Sequence, residues 1–147
     1  MGTRSLTRII PRQDGLSFNE GHKKIDMAYV NMYRQYDGYP EGHGLELAEF
    51  LKDIEIINGI SGDTTNQANG SGCLAAQMVK HFKDEVGYIY LHPHNDELGW
   101  EDYIYTVYPK ENELCYISIY DVHNEKCIFV GQPKDLIKKY KIEETPQ

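Results

Sequence analysis

The sequence predicts an α+β domain, with a mainly antiparallel sheet of about five to six strands. Two central helices lie on one face of it, with a short helix at the C-terminus. Three observations predict this. Residues 3–10 are β-prone and alternate at period two. Short β-branched or aromatic runs recur at 88–92, 100–108, 114–120 and 126–131. Between these groups, two stretches carry apolar residues at helical spacing, giving the order ββααβββ(β)α.

The first strand puts Arg4, Leu6, Arg8 and Ile10 on one face and Thr3, Ser5, Thr7 and Ile9 on the other. Neither face is purely apolar, so the strand borders a pocket or an edge. A turn-rich loop follows, with Asp14-Gly15 and Glu20-Gly21. Residues 24–34 then read as a second, longer strand. Its Ala28, Val30 and Met32 share a face with Arg34, so that guanidinium ends a core-facing row and needs a partner.

Residues 35–44 hold three glycines and a proline and read as a loop. From Leu45 the pattern turns helical. Leu47, Ala48, Leu51 and Ile54 form an apolar stripe, and Asn58-Gly59 a stop signal. Residues 60–72 form a polar loop, and a second helix starts near Cys73 and ends at Gly87. The last three strand-like runs read as an antiparallel meander. Pro133 opens the closing helix, which runs through Tyr140.

At 147 residues the chain has the length of one domain, placed at 1–142, with 143–147 as a disordered tail. No run approaches the ~18 apolar residues of a membrane span, so no membrane partner is expected. Three scattered cysteines fit reduced thiols in a cytoplasm.

Charge carries the first functional content. The net charge of −8 argues against long nucleic acids, whose binding rests on many Lys and Arg contacts to phosphate. Yet Arg4, Arg8, Arg12 and Arg34, which are all of the arginines, fall in the first 34 residues. An arginine fork matches phosphate or carboxylate with two bonds, which Lys cannot do. Salt bridges to the acidic stripe downstream, Glu46, Glu49 and Asp53, are the plain explanation. A pocket for one small anion is the functional one.

Three places could carry chemistry. The first is the loop at 32–44. There Tyr36 and Tyr39 offer flat surfaces, Asp37 and His43 polar edges, and His43 an acid or base. The second is Asn69-Gly70-Ser71-Gly72 ahead of the second helix. Unpaired N–H groups there could meet an anion, with Ser71 or Gly72 as N-cap. The same position would lower the pKa of Cys73, so a cysteine hydrolase using Cys73 with His92, His94 or His123 is the rival reading. The third is His92-Pro93-His94-Asn95-Asp96-Glu97, whose spacing is non-specific for a metal; no metal or other cofactor is expected. Tyr88, Tyr90, Tyr103, Tyr105, Tyr116 and Tyr120 sit at period-two spacings on these strands, cover one sheet face and could serve as a subunit interface or a stacking surface.

Residues Met1–Leu6 (MGTRSL), Met32–Gly44 (MYRQYDGYPEGHG) and Asn69–Gln77 (NGSGCLAAQ) together resemble a family of small, functionally uncharacterised proteins from bacteriophages and some microbial genomes. The resemblance implies no catalytic residue. It implies an accessory or counter-defence role in a host cytoplasm, and some factors of that kind sequester nucleotide signals.

The expectation is therefore a binding protein, homo-oligomeric, for a small phosphorylated ligand such as a nucleotide or cyclic nucleotide. Arg4, Arg8 and Arg34 would meet the phosphates opposite Asn69, Gly70, Ser71 and Gly72. Tyr36 and Tyr39 would stack on the base, with Asp37 or His43 at its edge. A protein that inhibits a host factor by direct contact is the third reading.

Overall fold

A computed structural model describes residues 2–60, 62 and 66–141. Its main sheet has six strands: β1 (Ser5–Ile9), β2 (Asn31–Arg34), and then, after a smaller pair, β5 (Ile89–Leu91), β6 (Tyr103–Tyr108), β7 (Tyr116–Asp121) and β8 (Lys126–Gly131). The smaller parallel pair is β3 (Glu55–Ile57) with β4 (Gln67–Asn69). Strand order in the main sheet is β5-β2-β1-β6-β7-β8. Within this sheet, among the described residues, only β1 and β6 pair parallel, so it is mostly antiparallel, and the fold is α+β as the sequence predicts.

Three helices, α1 (Leu45–Leu51), α2 (Gly70–Phe82) and α3 (Pro133–Tyr140), pack on one sheet face. Leu47, Leu51, Leu74, Met78 and Leu136 join Ile9, Met32, Val107, Ile117 and Phe129 in the main core. The other face is covered by irregular chain. Two 3₁₀ turns, Phe18–Lys23 and Ile25–Met27, close over Ile10 and Tyr108. Gly21 is required there, since a Cβ would overlap the Tyr108 hydroxyl. Residues 93–101 cover the rest of that face, near β1 and β2.

Several boundaries differ from expectation. The second strand begins only at Asn31, because residues 24–27 coil into 3₁₀ turns before the chain pairs with β1. Helix α1 stops at Leu51 rather than at Asn58-Gly59. There Ile54 and Ile56 are buried at period two, and the chain turns into β3. The expected polar loop at 60–72 is cut short by β4, and part of it lies outside the described residues. Helix α2 starts at Gly70 and ends at Phe82, earlier at both ends than predicted. Its N-cap is Asn69, not Ser71 or Gly72, and the Asn69 Oδ1 accepts from the Gly59 amide at 2.8 Å. The expected tail at 143–147 also lies outside the described residues.

Among the described residues, no helix is long and apolar enough to cross a membrane.

Candidate functional site

Alternation along β1 decides where each arginine goes. Ser5, Thr7 and Ile9 face the helices, and Leu6, Arg8 and Ile10 face away from them, with Arg4 in phase with the second set. On β2, Arg34 lies opposite Ser5 and turns to the helix side beside Met32. Arg34 is therefore on one face of the sheet, and Arg4 and Arg8 are on the other. The expected convergence of all three on the mouth of α2 is not the arrangement found. Instead, the candidate residues are distributed over three clefts.

The helix-side cleft has a volume of about 600 Å³. Arg34 lines it and is engaged through Nε and Nη1. Its Nε donates to the Tyr36 carbonyl at 2.7 Å, and Nη1 donates to His43 Nδ1 at 3.1 Å and to the Glu46 carboxylate. Its guanidinium also lies 5.0 Å from the centre of the Tyr88 ring. Because an arginine only donates, Nδ1 of His43 must accept. Nε2 then carries the proton and donates to Thr7 Oγ1 at 2.7 Å. His43 has no exposed surface, and burial, aided by the adjacent Arg34 charge, pushes its pKa down to about 3. It is a locked neutral hydrogen-bonding group, unsuited to acid–base work at neutral pH. Besides Glu46, the cleft is rimmed by Glu49, Asp84 and Glu85, so its chemistry disfavours phosphate.

The loop that carries His43 is a scaffold. Asp37 adopts φ +59°, and its carbonyl accepts from the His43 amide at 2.8 Å. The Gly38 amide donates to Thr3, and its carbonyl accepts from the Tyr105 hydroxyl at 2.6 Å. A π-helical turn, Pro40–Gly44, then leads into α1. Tyr36 and Tyr39 are exposed. Tyr36 lies parallel to Tyr88 at 6.1 Å, and the Tyr39 hydroxyl reaches Asp37.

The second cleft, of about 400 Å³, holds Asn69, Gly70 and Ser71. The arginine beside them is Arg12, which the sequence reading did not assign to the site. It is committed elsewhere, pairing with Glu113 at 3.3 Å and stacking 4.5 Å from the Tyr116 ring centre. Gly72 and Cys73 are exposed. The Cys73 thiol donates to Gln77 Oε1 at 3.5 Å, and no histidine hydrogen-bonds to it among the described residues. His92 lies across the sheet, and His123 pairs with Asp102. The thiol–imidazole pair of the rival reading is therefore not assembled among the described residues. His92 and His94 likewise gather no metal shell. Among the described residues, no group of three or more His, Cys, Asp or Glu is arranged to hold a metal ion.

The third cleft, also about 400 Å³, opens on the face away from the helices. It is lined by Arg4, Tyr33, Gln35, Tyr90, His92 and Trp100. Tyr33 is the hub. Its ring meets Trp100 edge-on at 4.8 Å, and Tyr90 and His92 lie 5.9 and 5.8 Å away. The register that pairs Tyr33 with Tyr90 and Leu6 builds this cluster. The Arg4 guanidinium lies 5.3 Å from the Trp100 ring centre. Its backbone amide donates to Asp102 at 2.8 Å, which anchors the start of β1. Among the described residues, Arg4 forms no ion pair, whereas Arg12 and Arg34 each have a carboxylate. Tyr33, Gln35, Tyr90 and Trp100 were not among the candidate ligand residues. The period-two tyrosines were the available signal, since Tyr90 belongs to them and Tyr33 is its cross-strand partner.

In comparisons with family models, with curated proteins and with solved structures, nothing matched the chain.

Proposed function

We propose that the protein binds a small phosphorylated ligand of nucleotide type in the cleft at Arg4. The observation that carries this reading is a guanidinium that forms no ion pair among the described residues, lying over a tryptophan ring at the rim of an aromatic recess. A base stacked on Trp100 or Tyr90, which are 44% and 41% exposed, would gain roughly 1–3 kcal/mol. Arg4 would take a phosphate oxygen, and Gln35 and His92 would supply polar contacts at the rim. The net charge of −8 supports a single small anion over a polymer.

Binding fits these groups better than turnover does. His43 is locked neutral, and among the described residues Cys73 hydrogen-bonds Gln77 and no base, so neither furnishes a nucleophile–base pair. A phage-encoded role that sequesters a nucleotide signal in a host cytoplasm belongs to the same proposal, as does assembly into a homo-oligomer. The test is a fluorescence titration with a nucleotide panel. Trp100 is the chain's only tryptophan and reports on this cleft directly.

A further inference from the structure

The face that carries the Arg4 cleft also buries a row of polar side chains. The register sets Asn31 opposite Arg8, Arg8 opposite Thr106, and Thr106 opposite Ser118, across four adjacent strands. All four are at least 97% buried. The covering over Arg8 and Asn31 is neither helix nor strand. It is the strap at 93–101, which joins β5 to β6 and contains Gly99 at φ +83°. Three side-chain bonds tie it down. Arg8 Nη2 and Asn31 Nδ2 both donate to the Asp96 carbonyl at 3.0 Å, and Asn31 Nδ2 also donates to the Pro93 carbonyl at 3.1 Å.

This row is poorly satisfied. Among the described residues, Arg8 Nε, Asn31 Oδ1, Thr106 Oγ1 and Glu101 Oε2 are buried without a hydrogen-bond partner. A buried guanidinium with its Nε unpartnered is costly, and a multi-oxygen anion would engage the fork better than one carbonyl does. The charged groups around Arg8 are Glu101, Glu97 and Asp96, all on the strap, with His22 facing from the 3₁₀ turn. The strap thus brings a carbonyl and negative charge to the guanidinium, the chemistry that one phosphate group supplies by itself.

We propose that Arg8 and Asn31 form an anion subsite, and that the 93–101 strap is its internal stand-in, displaced when a polyphosphate enters. This rests on the Arg4 cleft as the entry point. Arg4, just ahead of β1, and Arg8 within it lie four residues apart, about 13 Å along extended chain, the reach of a nucleoside polyphosphate rather than a monophosphate. Trp100 is part of the strap itself, so stacking in the cleft and lifting of the strap are mechanically linked.

The experiment follows the Nε–Hε signals of the four arginines in 15N-arginine-labelled protein, and amide exchange of residues 94–99, as pyrophosphate or adenosine triphosphate is added. Both additions should shift the Arg8 signal and speed strap exchange at least tenfold, leaving Arg34 unmoved. Arg8→Lys should abolish the response, and Asn31→Asp, which sets a carboxylate beside Arg8, should weaken it. Should Arg8→Lys not fold, Lys substitutions at Arg4 and Arg12 assign those two signals, and proximity to the Tyr88 ring identifies that of Arg34, leaving Arg8 by elimination. An unmoved Arg8 with unchanged strap exchange overturns the subsite, even if the nucleotide quenches Trp100 and the cleft reading stands. A shifted Arg8 with a silent Trp100 supports the subsite and removes the cleft as the base-binding site.

Discussion

Arg34 donates to Nδ1 of His43 at 3.1 Å, and this bond joins the end of β2 to the turn that starts α1. The same side chain also holds the Tyr36 carbonyl and Glu46, so Arg34 staples the 35–46 segment to the sheet. Arg34→Ala would strand His43 Nδ1 and the Tyr36 carbonyl without donors. We expect a loss of about 3–5 kcal/mol, read from the urea midpoint. Arg34→Lys should recover little of this, because an ammonium on a flexible stem cannot reproduce the planar fork. Destabilisation no larger than that of a surface substitution would contradict the staple.

His43 gives the acid limb of stability a defined sign. Its pKa falls from 6.5 in the unfolded chain to about 3 in the fold, so the unfolded state binds the extra proton between those values. The contribution is complete above pH 6.5 and is lost as the pH falls toward 3, on the order of a few kcal/mol in all. His43→Gln offers an amide that cannot titrate. Denaturant unfolding as a function of pH should show a flatter slope between pH 3 and 6.5 in the variant than in the parent. Parallel curves would contradict the assignment.

The thiols should separate by access. Cys73 is exposed, whereas Cys115 is buried and burial pushes its pKa up to about 12. In the native protein, iodoacetamide should label Cys73 well before Cys115, as mapped by peptide mass spectrometry. Cys73→Ser should shift stability by no more than about 0.5 kcal/mol and leave Trp100 titrations unchanged. A lost ligand response in Cys73→Ser would revive the thiol-dependent reading.

Where structure is decided locally, the sequence is a good guide. The runs at Lys126–Gly131 and Pro133–Tyr140 match β8 and α3 to the residue. Pro133 sets the first turn of α3, and Asp135 accepts from the Gln132 amide at 3.0 Å, all within four residues. Limits set by distant contacts are less legible. Strand β2 exists only where Asn31–Arg34 meets β1, and α1 ends where Ile54 and Ile56 find the core. The site divides in the same way. Alternation alone puts Arg4, just ahead of β1, in phase with Arg8, but the position of Arg34 depends on its pairing with Ser5, a contact 29 residues away in sequence. Tyr33, Tyr90 and Trp100 meet only once β5 has paired with β2 and the strap has crossed the sheet.

Titration of Trp100 fluorescence with nucleoside mono-, di- and triphosphates tests the account most directly. The account predicts saturable quenching in the parent and in Cys73→Ser, with affinity at least tenfold weaker in Arg4→Gln, about 1.4 kcal/mol. Emission that stays constant up to about 1 mM of every nucleotide, or saturable quenching undiminished in Arg4→Gln, would contradict it.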